Sequence, residues 1–213
     1  MKKHGFMLKT TYEGEEILHR LLWHIVEEES ERAAMLARGW FNPSAVAMVF
    51  AFHTIEAYLN YVGERLAPDI WKNERNYFRK QPYRGWEGKL RKVVELAGLS
   101  WNPGERPLSA VLQLKQLRDL IAHGKPEKLE GEFLHPAGTE SPTPVSTLRK
   151  MIVPKEKLQT VLSDVEQFLC QIHSLAKPKV KANDNFFGSH PLQGTSEYSV
   201  HSTTIHSDEK PEM

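Results

Sequence analysis

The sequence predicts an all-α fold, a bundle of helices around one largely apolar member. Two observations predict it. Apolar residues recur at three- and four-residue steps over several long stretches. Proline and glycine sit at the ends of those stretches, where helices start and stop.

Taken in order, Glu15 to Ala37 carries Ile17, Leu18, Leu21, Leu22, Ile25 and Val26 at helical spacing and reads as a long first helix. Asn42-Pro43 then supplies a capping side chain and a proline for a first turn. The helix it opens, to about Leu66, is apolar nearly all round and is therefore expected at the centre. A short helix is expected from Trp86 to Leu96 and a loop from Ser100 to Pro107. Leu108, Val111, Leu112, Leu114, Leu117 and Ile121 mark the next helix, stopped by Gly124 and Pro126. Glu132-Phe133-Leu134 and Lys150-Met151-Ile152-Val153 can pair as a small β-hairpin inserted before the last helix. Pro154 opens that last helix, whose stripe runs through Leu158, Leu162, Val165, Phe168, Leu169 and Ile172. The domain organisation read from this is a helical domain over residues 1–176 and a disordered tail over 177–213, rich in Ser, Thr, Asn, Gly and His.

The 213 residues are 40% hydrophobic and 26% charged with a formal net charge of +1, an ordinary globular composition that predicts no polyanion partner from overall charge. A single cysteine excludes an internal disulfide framework and suits a reducing compartment. Met1-Lys2-Lys3 is followed by no apolar run, which argues against a secretory signal. His53, Glu56 and Asn60 interrupt the longest apolar stretch and argue against a membrane span. The expected location is the cytoplasm. There is no Gly-rich phosphate loop, no serine nucleophile elbow and no paired Cys or His-Glu-x-x-His arrangement for zinc. The histidines His190, His201 and His206 lie in the expected tail and offer no preformed metal site.

Three groups of residues are candidates for function. In the central helix His53, Glu56, Asn60 and Gly63 or Glu64 follow one another at three or four residues and form one polar stripe. The stripe is either satisfied by neighbouring backbone and water, or it faces Arg118 and His123 across a helix contact, since buried charge needs a partner. Between Trp71 and Lys92, Arg75, Arg79, Lys80 and Arg84 are interleaved with Trp71, Tyr77, Phe78, Tyr83 and Trp86. Cations neutralise phosphates and aromatic faces stack on unpaired bases, so the mixture suits single-stranded RNA. The alternative is aromatics packed into the domain beside solvated cations. The third group is Arg118, Asp119 and His123, closing a helix whose terminal dipole favours a charged imidazole.

The run Arg118-Asp119-Leu120-Ile121-Ala122-His123, followed by Gly124, resembles the signature of the HEPN superfamily, the higher eukaryote and prokaryote nucleotide-binding domains: an Arg, a polar residue, three further residues and a His. The earlier apolar helix with Glu56 and Asn60, and the helical bundle from about Glu15 to Ala176, are similar to that family in context. The resemblance implies a HEPN-like antiparallel bundle and a homodimeric, metal-independent endoribonuclease without cofactors. In it His123 and Arg118 activate the ribose 2′-hydroxyl and stabilise developing charge, leaving a 2′,3′-cyclic phosphate. It also implies a setting in toxin–antitoxin or phage-defence systems, with an antitoxin or neighbouring-gene protein as partner. Other members are non-catalytic binding or regulatory modules, and a purely structural helical partner is a third reading.

Helix geometry adds a constraint. Residues five apart lie roughly 140° apart around the axis, so Arg118 and His123 do not share a face, whereas Asp119 and His123 do. Asp119 is therefore expected to orient His123. A site using both Arg118 and His123 needs an unwound helix end at Gly124 or a second protomer.

Overall fold

The computed structural model describes residues 6–180, 188–194 and 196–206. Its elements are β1 (Phe6–Glu16), α1 (Leu18–Met35), α2 (Phe41–Leu66), α3 (Pro68–Trp71), α4 (Glu74–Tyr77), α5 (Gly85–Ala97), α6 (Leu108–Ala122), α7 (Thr147–Met151), α8 (Lys155–Ala176), a 3-10 turn (Lys177–Lys179) and β2 (Ser196–His206). The chain is mostly helical, as the apolar spacing predicts.

It divides into two compact units, Leu18–Gln193 and the two chain ends. In the smaller unit β1 and β2 form an antiparallel pair, with Phe6 opposite His206 and Glu16 opposite Ser196. This corrects two expectations. Glu15 and Glu16 belong to a strand rather than to the first helix. The segment expected to be disordered from residue 177 contains the 3-10 turn, an ordered stretch with Leu192 buried, and a strand; residues 181–187 and 207–213 lie outside the described residues. Backbone pairing bonds alternate residues across the ribbon without requiring an apolar face, which is why a Ser/Thr-rich stretch can be a strand.

In the larger unit α2 is the core helix and packs against α1, α3, α5, α6 and α8. Phe52, Ile55, Tyr58, Leu59 and Val62 on it are buried. It is the one described helix with the length and apolarity to cross a bilayer, and 56% of that window is buried by the other helices, as in a core helix. It starts at Phe41, and no side chain caps it, so Asn42 does not take the capping role its sequence position suggests. α6 and α8 turn Leu108, Val111, Leu114 and Leu117, and Leu158, Leu162, Val165, Phe168 and Leu169, into the interior.

Long cations tie the helix ends, where four carbonyls lack intrahelical partners. Lys155 Nζ donates to the Leu36 carbonyl at 2.7 Å, and Lys179 Nζ to those of Leu96 and Ala97 at 2.9 and 2.8 Å. Arg106, ahead of α6, grips Asp164 on α8 at 2.6 Å. Arg20 of α1 is 4% exposed and donates to the carbonyls of His190 and Pro191, which holds that late segment in the larger unit.

The hairpin expected before the last helix is absent. Residues 132–134 form no strand, and Lys150 and Met151 belong to α7, capped by Ser146 Oγ accepting from the Arg149 amide. The Ser-Thr start signal and its cap turn the apolar run into a helical turn instead.

Candidate functional site

α6 positions the Arg118–His123 end. Leu114 and Leu117 are buried against the rest of the bundle, so the residues that follow Leu117 emerge at the surface in fixed phase. Arg118 and Asp119 are about one-third exposed and His123 is exposed at the C-cap, its amide donating to the Asp119 carbonyl at 2.9 Å.

Arg118 is held from two sides. Its Nη1 donates to Asp119 Oδ1 at 3.2 Å, and its guanidinium carbon lies 5.5 Å from the Phe52 ring centroid on α2. Asp119 also accepts from Lys115 Nζ at 2.7 Å. The Lys115 hydrogen bond, with Lys115's charge and Arg118 behind it, holds the Asp119 carboxyl below its ordinary range. The same bond raises Lys115.

This differs from the expectation that Asp119 orients His123. The carboxylate is engaged by Lys115, one turn upstream, and by Arg118. Among the described residues no hydrogen bond or ion pair joins the His123 side chain to another group. A lysine at the preceding turn competes with the histidine at the following one, and a full charge on a flexible stem outcompetes an imidazole at the helix end.

The polar stripe divides. His53 Nδ1 and Glu56 Oε2 are 3.5 Å apart at the solvent edge. Asn60 Oδ1 accepts from Lys89 Nζ at 2.9 Å and Trp71 Nε1 at 3.4 Å. Neither arm forms an ion pair or hydrogen bond with Arg118 or His123 among the described residues, so of the two readings of the stripe the contacts agree with the one in which it is satisfied elsewhere. The stripe is satisfied by its own neighbours and by α5. Phe52, an apolar residue of α2, is what meets Arg118.

The segment between α2 and α5 is built around two close approaches. Trp71 lies so near Gly63, and the Tyr83 carbonyl so near Gly88, that a Cβ at either glycine would overlap them. Trp71 and Phe78 are buried and pack edge to face, while Tyr77 and Tyr83 stack at 5.8 Å with ring planes 17° apart. Arg75, Arg79, Lys80 and Arg84 are all exposed, and none takes part in an ion pair among the described residues. Lys89 is instead consumed by Glu74 at 2.8 Å and by Asn60. The aromatics of this segment therefore divide: Trp71 and Phe78 belong to the core, while Tyr77 and Tyr83 border a cleft that Lys80 also lines.

No family model matches this chain, and neither a curated protein nor a solved structure matches it.

Among the described residues no group of three or more His, Cys, Asp and Glu is arranged to hold a metal ion. His190 sits 3.4 Å from Cys170 Sγ through Nε2, and the side chains of His201 and His206 lie outside the described residues. Sequence reasoning missed Lys115 and Phe52. Lys115 carried a visible signal, its four-residue spacing ahead of Asp119. Phe52 carried none, because contact across α2 and α6 depends on how the two helices pack.

Proposed function

We propose that this chain is a HEPN-like, metal-independent endoribonuclease whose α6 end is one half of a homodimeric site. The observation that carries the reading is the state of the two signature side chains. Arg118 is fixed against Phe52 and Asp119, and His123 stands exposed and unengaged five residues later. A fixed cation and an uncommitted imidazole are what phosphoryl transfer from a ribose 2′-hydroxyl requires.

In this mechanism His123 accepts the 2′-hydroxyl proton as the 2′-oxygen attacks phosphorus. Arg118 stabilises the charge gathering on the non-bridging oxygens, the P–O5′ bond breaks as the 5′-oxygen takes a proton from water, and His123 returns its proton to solvent. The products are a 2′,3′-cyclic phosphate and a 5′-hydroxyl end. The offset of Arg118 and His123 around the helix favours a site completed by the second protomer. Ile121, 44% exposed between them, is an apolar side chain for that protomer to cover. The role fits a cytoplasmic toxin or phage-defence effector controlled by an antitoxin or neighbouring protein.

A second reading, a non-catalytic RNA-binding or regulatory module, is favoured by the unpaired cations Arg75, Arg79, Lys80 and Arg84. RNA cleavage in EDTA by wild-type protein and by its His123→Ala variant separates the two. Cleavage that drops by about 10²–10⁴-fold in the variant supports the enzyme; RNA binding with no cleavage by the wild type supports the module.

A further inference from the structure

The stacked tyrosines border a cleft of about 480 Å³, within the size range of small-molecule sites of about 300–1,000 Å³. Its wall chemistry is uneven. Tyr77 and Tyr83 give it an aromatic side, Asn76 and Gln81 give it amides, and Asp69 and Lys80 give it one charge of each sign.

The aromatic side is held in place. The Tyr83 hydroxyl donates to Glu95 Oε2, and the Lys92 ammonium lies 4.8 Å from the ring centroid. The Glu95 hydrogen bond also raises the phenol above its ordinary range, so it stays a donor. Tyr77 is fixed against Tyr83 by the stack and against Phe78 edge to face at 5.1 Å. With Tyr77 stacked on it and Lys92 over its ring, Tyr83 backs the pair, and the Tyr77 side is the π-face a ligand meets, held without losing side-chain entropy on binding. Asn76 donates to Asn73 Oδ1 at 2.8 Å, which orients its amide beside the rings.

We propose that this cleft is a nucleobase subsite, in which one unpaired base of single-stranded RNA stacks on the Tyr77–Tyr83 pair while the cleft's amides and Asp69 engage its polar edge. The exposed cations Arg75, Arg79, Lys80 and Arg84 flank it in sequence and supply the phosphate contacts. Phosphate contacts give affinity without discrimination, and the aromatic pair gives the preference for a strand that carries bases. The inference rests on RNA being the ligand, and it places base recognition on the α3–α5 segment rather than on the Arg118–His123 end. Asp69 disfavours a second phosphate inside the cleft, which is why a base and not a free anion is the occupant.

The test uses the full chain carrying His123→Ala, so that bound RNA is not cut. It is titrated at one salt concentration with a labelled oligouridine and with an abasic oligoribonucleotide of equal length. The expected result is about tenfold tighter binding of the base-bearing strand, the scale of one or two stacked bases. Tyr77→Ala should remove most of that gap, Tyr77→Phe should keep it, and Lys80→Ala should weaken both strands alike. Tyr77→Trp gives an independent readout, an added indole emission quenched by oligouridine and not by the abasic strand. Equal affinity for the two strands, binding of neither, or a gap untouched by Tyr77→Ala overturns the subsite. Cleavage is read separately on wild-type protein. A base preference without cleavage sinks the ribonuclease reading alone, and cleavage without a base preference sinks the subsite alone.

Discussion

Lys115 Nζ donates to Asp119 Oδ2 at 2.7 Å from one helical turn upstream, and that contact decides which neighbour the Asp119 carboxylate serves. With Arg118 on its other oxygen at 3.2 Å, Asp119 is a positioning residue for the arginine and leaves the histidine free.

Asp119→Asn therefore tests a division of labour. Both partners are partly exposed, so the stability cost should be small, about 0.5 kcal/mol in a denaturant titration. Because the folded-state pKa of Asp119 is lowered, its contribution is present above the ordinary carboxylate range and fades as the pH drops through the folded value. Cleavage should fall by less than in His123→Ala, and the alkaline and acidic limbs of its pH profile should stay where they are. A displaced limb on the histidine side would show that Asp119 acts on His123 after all.

The buried histidines give the fold its own pH dependence. Burial, reinforced by Arg20, lowers His19 to about 3, and burial lowers His173 to about 4. Unfolding returns both to the ordinary histidine range, so the unfolded chain binds more protons and stability is lost as pH falls from about 6.5 toward those values. At about pH 5 the loss should approach roughly 2 kcal/mol for each histidine relative to neutral pH. Urea unfolding at the two pH values measures it. His19→Phe keeps the edge contacts to Tyr58 and Tyr61 and should remove about half of the pH effect. An undiminished effect in that variant would assign the dependence elsewhere.

The free cations should register in the salt dependence of RNA binding. Reversing the charge of Arg79 and Arg84 should weaken binding more at low salt than at high salt, and should flatten the log–log slope by about 0.7 for each phosphate that is no longer neutralised. A uniform weakening at all salt concentrations would mean that the substitutions disturbed the fold of the segment between α3 and α5.

Much of this architecture was legible because its helices are amphipathic or capped by proline. α2, α6 and α8 fall close to where their apolar spacing puts them, and Arg118, Asp119 and His123 fall at a helix end because Gly124 and Pro126 follow. The β1–β2 pair was not legible. Its strands are separated by nearly the whole chain, and the Ser196–His206 stretch is dominated by Ser, Thr and His, although Val200, Thr203, Thr204 and Ile205 carry the β-branched signal. The partners of the site were half legible. Spacing along one helix contains Lys115–Asp119, but Asn60–Lys89 and Arg118–Phe52 join separate helices, and helix-to-helix register is absent from any single-sequence periodicity.

The proposed ribonuclease site pairs Arg118 of one protomer with His123 of the other, and subunit mixing puts that pairing to the protein itself. Purified Arg118→Ala and His123→Ala proteins should each be inactive on RNA in EDTA. Unfolded and refolded together, they should regain a substantial fraction of wild-type cleavage, because a mixed dimer restores one site with the arginine of one chain and the histidine of the other. A mixture as inactive as its components, from protein shown to exchange subunits, would contradict a shared site, and a chain that stays monomeric would contradict the half-site at its base.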